Sequence, residues 1–343
     1  MGIQISILDQ TPRSDGQTSA EAFSATLQLA RQAEAWGFKR YWVSEHHDSH
    51  RVISSAPEIL LAYLAAHTSS IQLASGGVML QHYSPYKVAE QFHELSVLSG
   101  GRIGLGIGKA PGGLQASTAA LQENQAEKPD FYQKLETLTH FLRRDFPESH
   151  PYAALSVEPE TEHEIPVFLL GGSVESAKLA AKLGIEFVYA YFINGDEGLL
   201  KAAHAAYLDH CQNTGRPAKF HLASIVAVTP SVEEAKKYKD SGAGYKVVLE
   251  DGHKVNLGSK AQVEKYLESV RQPYRVIEQK PGIIAGTEAG VADKLRDFHQ
   301  KYGIEEFIAL SPIEDLDEKL ASYGRLAAVV REINKQLIGN GVG

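Results

Sequence analysis

The feature that most restricts the fold of this chain is an alternation repeated from end to end. Short apolar runs are each followed by a longer amphipathic stretch. The runs are Ile3–Leu8, Arg40–Ser44, Ile71–Ser75, Arg102–Ile107, Val167–Leu170, Glu186–Ala190, Phe220–Val228 and Glu306–Leu310. Helical periodicity marks Ala20–Trp36, Ala56–Thr68, Tyr86–Leu98, Phe131–Phe146, Ser173–Leu183, Gly198–Asn213, Gly290–Tyr302 and a last helix from Leu316 to about Leu337. Repeated βα units predict a parallel sheet with helices outside. Eight such strands in 343 residues fit a single (β/α)8 TIM barrel, one α/β domain over 1–343, better than a doubly wound sheet. Two connections are too long for the repeat, about 109–130 after strand four and 229–286 after strand seven. They are expected to be insertions that cover or bind. Ser84-Pro85 reads as a cap followed by proline at the first helical position. Gly37 and Gly184 read as helix stops.

Charge and composition narrow the partners. The formal net charge is -8, the pI is near 6.0, and no long basic run occurs. Nucleic acid and anionic membrane are therefore not expected as partners. No apolar run reaches transmembrane length, and no signal-peptide pattern opens the chain. Met1-Gly2 with Ser6 matches the N-myristoylation pattern, but Ile3, Ile5 and Ile7 read as a buried first strand that would hide Gly2. Cys211 is the sole cysteine and has no intrachain partner, which fits a reducing compartment. The expectation is a soluble cytoplasmic protein.

Barrel chemistry is expected where the strands end. Strand four reads Arg102-Ile103-Gly104-Leu105-Gly106-Ile107-Gly108-Lys109, with three isoleucine or leucine residues on one face and three glycines on the other. The glycine face, turned inward, either lets the barrel pack tightly or makes room for a flat ligand. It is not a dinucleotide fingerprint, because Pro111 stands where a third glycine is required. Strand five runs through Gly171-Gly172-Ser173-Val174-Glu175-Ser176 straight into a helix. Free N–H groups and hydroxyls at a helix N-terminus suit an anion such as phosphate, with Lys109 as a complementary cation. Ser173 serves equally as a plain N-cap. Strand three ends in Ser75-Gly76-Gly77, which spacing alone reads as a turn before a capped helix and which also allows a planar ligand to approach.

Strand two ends in Val43-Ser44-Glu45-His46-His47. Alternation places Trp42, Ser44 and His46 on the inward face, and Glu45 and His47 toward the helical shell. Adjacent residues on opposite faces are poor joint metal ligands, and no other strand end completes a set, so no metal is expected. His46 is left as either a hydrogen-bonding structural residue or a proton-handling group.

Together these stretches resemble the bacterial luciferase-like flavin monooxygenases, and within them the MsnO8-type branch. The resemblance rests on Ser6-Ile7-Leu8-Asp9-Gln10-Thr11-Pro12, Tyr41 to His47, Ala74 to Pro85, Gly101-Arg102-Ile103, Ala110-Pro111-Gly112-Gly113, Gly171-Gly172-Ser173, Phe192-Ile193-Asn194 and Gly286-Thr287, and spans nearly the whole chain. It implies a barrel that binds FMN at the strand C-termini and acts as a homodimer. The flavin would arrive reduced, as a co-substrate from a separate NAD(P)H-dependent flavin reductase. Oxygen would add at the flavin C4a carbon, and the (hydro)peroxyflavin would oxidise a small organic substrate. By position, His46 matches the active-site histidine, and Ser75, Gly76 and Gly77 match the segment behind the isoalloxazine ring. Lys109, Gly171, Gly172, Ser173 and Ser176 match the phosphate cradle. Lysine at 109 stands where relatives often carry arginine, which loses a bidentate fork. Glu318-Lys319-Leu320-Ala321-Ser322-Tyr323 lacks an arginine expected before the Ser-Tyr pair. The alternatives are a deazaflavin-dependent hydride-transfer oxidoreductase and a flavin-binding protein without turnover. A Schiff-base lyase is disfavoured, because no lysine falls within the strand runs.

Overall fold

A computed structural model describes residues 2–123, 130–239, 243–252, 254–268 and 270–339. The first half of the chain contains β1 (Gln4–Asp9), α1 (Ser19–Ala35), β2 (Arg40–Val43), α2 (Pro57–His67), β3 (Gln72–Ser75), β4 (Val78–Met79), α3 (Pro85–Ser99), β5 (Ile103–Gly108), α4 (Gln115–Leu121) and α5 (Phe131–Arg143). Then come β6 (Val167–Gly171), α6 (Val174–Leu183), β7 (Glu186–Ala190), α7 (Glu197–Thr214) and β8 (Phe220–Val228). The remainder holds α8 (Val232–Lys239), β9 (Gly244–Leu249), β10 (Lys254–Leu257), α9 (Lys260–Leu267), β11 (Tyr274–Gln279), β12 (Ile283–Gly286), α10 (Glu288–Tyr302), β13 (Glu306–Leu310) and α11 (Leu316–Gly339).

Strands β1, β2, β3, β5, β6, β7, β8 and β13 pair in parallel in that order, and β13 returns to β1. The result is the closed eight-stranded barrel expected from the repeat. The predicted helix boundaries hold where their signals were local. Ser84 caps α3 with Pro85 at its start, and Gly184 ends α6 in the left-handed region at φ 66°.

Period-two alternation divides the strands into two cores. Outward residues such as Ile5, Ile7, Tyr41, Val43, Ile103, Leu105 and Ile107 pack against the helices. Inward residues Leu8, Trp42, Ala74, Phe168, Val188, Ala223, Ile308 and Leu310 fill the barrel. The glycine face of β5 is turned inward, and its lower part is already occupied. A Cβ at Gly104 would lie 3.0 Å from Phe168, and one at Gly106 would lie 3.0 Å from both Trp42 and Leu170. Tight packing therefore accounts for these two glycines, and only Gly108, beside Met79, stands at the rim.

The barrel floor, at the N-terminal ends of the strands, is ionic. Fully buried Glu306 accepts from Ser6 Oγ at 2.6 Å and from Arg40 Nη1 at 2.9 and 3.1 Å, with Lys39 Nζ at 2.9 Å. Arg40 also donates to Gln72 Oε1 at 2.7 Å and lies over the Phe168 and Trp42 rings at 4.7 and 5.3 Å. Burial alone would raise the Glu306 carboxyl, but Arg40, His221 and Lys39 reverse this and hold it at about 2.

The two long connections carry more structure than their sequence announces. The first contains α4, and its residues 124–129 lie outside the described set. The second holds an antiparallel sheet in the order β10-β9-β11, while β12 pairs in parallel with the end of β8. Residues 240–242, 253 and 269 of this segment lie outside the described set. One side of the small sheet packs Val247, Leu249, Val255 and Leu257 under Val263 and Tyr266 of α9. Leu114, from the first connection, packs against that same cluster. Among the described residues no helix is long and apolar enough to cross a membrane.

Candidate functional site

The C-terminal rim of the barrel gathers the residues that carry chemistry. Strand β2 ends its pairing at Val43, opposite Ser75. The next inward side chains are Ser44 and His46, whose Oγ and Nδ1 lie 3.0 Å apart. The backbone N–H of His46 donates to Ser54 O at 2.8 Å, so the residue is held at both ends. Among the described residues Nε2 meets no hydrogen-bond partner. Burial, with a smaller contribution from the neighbouring His47, pulls the His46 imidazole down from 6.5 to about 4. The ring is therefore neutral at physiological pH, suited to accept a proton or to offer one hydrogen bond.

Beside it, β3 gives way to a bend. The Gly76–Gly77 peptide is cis. Gly76 N donates to Val43 O at 2.6 Å, which turns the bend toward β2. Side chains are excluded here: a Cβ at Gly76 would lie 2.7 Å from Leu8 Cδ1, and one at Gly77 2.8 to 2.9 Å from the backbone of Gly106 and Gly108. Ser75 is fully buried, and its hydroxyl donates to Gly106 O at 2.8 Å while accepting from Gly106 N at 3.0 Å. It replaces the ladder bonds that the bend interrupts, so Ser75 shapes the wall and its hydroxyl is committed to backbone. Gly77→Ala is expected to cost about 1–3 kcal/mol, because rigid backbone cannot yield to the added methyl. Urea unfolding of the variant measures it, and an unchanged midpoint would refute the close approach.

Across β5 the strand pairing sets Gly108 beside Leu170, which brings the end of β6 and the start of α6 to the same rim. Gly171 leaves room for Ser176, whose Cβ would sit 2.8 Å from a Cβ there. Gly172 is exposed, and a Cβ there would meet only Ala190 O, at 4.0 Å. Ser173 Oγ accepts from Ser176 N at 3.2 Å and lies 3.1 Å from Ser176 Oγ. The Glu175 carboxyl is held below its usual range by its own backbone N–H and by the Ser173 hydroxyl. The start of a helix, with its dipole and unpaired N–H groups, suits an anion.

Lys109 is placed differently from the expectation of a cation against Ser173. It is exposed, its Nζ donates to Tyr132 OH at 3.3 Å, and it stands 4.5 Å from the Tyr132 ring centroid and 5.9 Å from that of Phe131. The structure brings its backbone to the rim and turns its ammonium toward the start of α5.

The floor of the rim is apolar. Leu170, Phe192 and Ile225 are half-buried and pack on the inner cluster. Among the described residues no three His, Cys, Asp or Glu side chains gather as metal ligands. A cleft of about 390 Å³ bounded by Gly2, Ile3, Gln4, Asn334, Leu337 and Ile338 lies at the other end of the barrel, away from this chemistry.

Sequence reasoning did not identify the group that joins these parts. Glu45 is fully buried, and its Oε1 accepts from Tyr83 OH at 2.7 Å and pairs with His47 Nε2 at 2.8 Å. Its Oε2 accepts from Met79 N at 3.0 Å. Burial and the Glu45 charge push the Tyr83 phenol well up, so it remains a donor. Met79 and Tyr83 lie more than thirty residues from Glu45 in the sequence, so these contacts leave no local spacing signal.

A sequence profile described as Luciferase-like monooxygenase matches residues 3–305. The N-acetyl-S-alkylcysteine monooxygenase of Bacillus subtilis (strain 168) is 53% identical over 330 residues, covering 96% of this chain and 98% of that protein. A luciferase-like monooxygenase of Escherichia coli (strain K12) is 32% identical, covering 98% of each. The crystal structure of apo-MsnO8 superposes with a TM-score of 0.75 at 30% identity, covering 96% of this chain and 98% of that one.

Proposed function

The chain belongs to the luciferase-like monooxygenase family, and on that premise we propose that it uses reduced FMN and O2 to oxidise a small organic substrate. The thioether of an N-acetyl-S-alkylcysteine is the substrate to test first, given the relative that shares 53% of its residues. Reduced flavin supplies two electrons, so that one oxygen atom reaches the substrate and the other leaves as water. The observation that carries this reading is the joint placement, on one rim, of a wall without side chains, an anion-ready helix start and a neutral imidazole.

Each part has a stated task. Gly76 and Gly77 pack the bend tightly against β1 and β5, and the backbone they leave bare is the wall on which a flat ring would lie. Gly172, Ser173 and Ser176 offer donors to the phosphate at the start of α6, with Gly171 giving Ser176 its room. Lys109 would swing from Tyr132 to the same anion. Leu170, Phe192 and Ile225 exclude water and receive the apolar part of the substrate. His46 Nε2 holds or accepts a proton at the reacting end.

The proposal extends to the partners. A separate NAD(P)H-dependent reductase supplies the flavin, and the compartment is the cytoplasm. A homodimer forms through α2, which is apolar on every side: Leu60, Leu61 and Leu64 are buried, while Ile59 and Tyr63 remain 70% and 46% exposed. A helix apolar all round belongs in an interior or an interface. Sedimentation of the purified chain measures that state.

The test of function supplies reduced FMN, 18O2 and S-alkyl-N-acetylcysteines, with mass analysis of products. One labelled oxygen per product is expected. Oxygen consumed with no oxygenated product, or binding of a deazaflavin in preference to FMN, would overturn the reading. Lys109→Ala combined with Ser173→Ala is expected to weaken FMN about ten- to a hundredfold, from lost charge-assisted bonds, and riboflavin far less. Equal losses for the two flavins would remove the phosphate assignment.

A further inference from the structure

We propose that Glu45 is a positioning residue that clamps the Gly76–Gly77 bend and the loop following Lys109 in register with His46. The catalytic part of this proposal rests on the flavin monooxygenase reading above. Its geometric part does not.

The clamp is visible bond by bond. Through Oε2 the carboxylate holds Met79 N, two residues beyond the bend, where β4 pairs Met79 with Gly108. Through Oε1 it holds Tyr83 OH, just before the Ser84 cap of α3. The same oxygen orients the His47 ring, and His47 N donates to Gly112 O at 2.8 Å. Gly112 has φ 68°, and a Cβ there would lie 3.2 Å from His47 Cδ2, so this loop lies directly against the imidazole. His82 Nε2 meets the carbonyl of the neighbouring Pro111 at 2.8 Å, and the His47 and His82 rings pack edge to face with centroids 6.0 Å apart. One carboxylate therefore ties the 79–83 stretch to the end of β2 and sets the His47 ring against the Gly112 loop.

Chemistry favours this role over simple filling. A carboxylate withdrawn from water is costly unless its lone pairs are used, and a hydrophobic side chain of similar volume would fill the space without that cost. Three donors, two from the 79–83 stretch and one from His47, recover the cost only when all three are in place, so the group specifies one arrangement of the rim. Glutamine can reproduce part of it. Its single oxygen can accept from Met79 N, while the Tyr83 hydroxyl and the His47 ring can switch to accepting from its amide. Alanine reproduces none.

The experiment compares wild type, Glu45→Ala, Glu45→Gln and Tyr83→Phe by amide hydrogen exchange and by steady-state turnover. Faster exchange is expected at Met79 N–H and His47 N–H, largest for alanine and intermediate for the other two. Turnover should fall in the same order, to about a hundredfold below wild type for alanine, the effect of an ångström of misplacement. A growing share of the oxygen should leave as hydrogen peroxide. A role in stability alone would lower the melting temperature but leave kcat and the peroxide share intact below it. Folded Glu45→Gln and Tyr83→Phe variants with wild-type exchange at these two amides, or with wild-type kcat and coupling, overturn the proposal. If Glu45→Ala does not fold, the other two variants still decide. A wild-type protein that oxygenates nothing removes the flavin reading, and the exchange measurement still reads the clamp.

Discussion

Replacing His46 by alanine is expected to lower turnover about 10²- to 10⁴-fold, the range supplied by a positioned proton-transfer group. Flavin affinity should change little, because the wall at Gly76–Gly77 and the start of α6 are untouched. The pH dependence follows from the environment of the ring. Burial lowers the imidazole from 6.5 to about 4, so the neutral form persists well below neutrality. Activity that needs neutral His46 should hold from pH 8 to about pH 5 and decline as pH falls through 4. Stability carries the same sign. Between 6.5 and 4 the unfolded chain binds a proton that the folded one refuses, so the contribution is full above 6.5 and is lost as pH drops to 4. A pH–rate profile with a midpoint near 6.5 would show that the imidazole is not desolvated. A His46→Ala variant with near-normal turnover would leave the ring a structural role through Ser44 and Ser54.

The other large effect concerns stability and lies at the opposite end of the barrel. Arg40→Met should destabilise by about 3–5 kcal/mol, because Glu306 would remain buried without its principal counter-charge. Glu306→Leu should cost a similar amount by stranding Arg40, which is only 4% exposed. The double replacement Arg40→Met with Glu306→Leu is expected to recover much of the loss, since no buried charge would then lack a partner. Chemical denaturation of the four proteins closes the cycle, and additive losses would show that the two residues do not act as a pair. The carboxyl is held at about 2, so its contribution is present above the ordinary carboxylate range and is lost as pH falls through 2. Activity at moderate temperature should survive these changes, because the floor is remote from the rim.

The barrel was legible because its strands are short apolar runs with sharp ends. Ile103, Leu105 and Ile107 announced an outward face and the intervening glycines an inward one, and the cores follow that division. The insertion sheet was not legible. In β9, β10 and β11 lysine, arginine and glutamate break the apolar residues into what reads as polar loop. At the rim, alternation placed His46 inward beside Ser44, and the 3.0 Å contact agrees. Alternation also sent Glu45 and His47 outward, correctly, but it could not show that Met79, Tyr83 and Gly112 would meet them there. Lys109 exposes another limit of such reasoning. A strand position fixes a backbone, whereas four rotatable bonds decide where an ammonium goes, and here aromatic rings of α5 hold it.

The contact of Leu114 with the insertion sheet has a kinetic consequence. Two connections that share one apolar cluster do not part independently, because separating them exposes the Leu114 side chain together with the edge of the cluster. On the proposed function, traffic through the rim would then have one door. Flavin arriving from a reductase and substrate arriving from solution would wait on the same opening event, and the order in which they enter would be set by which one fits beneath a closing cover.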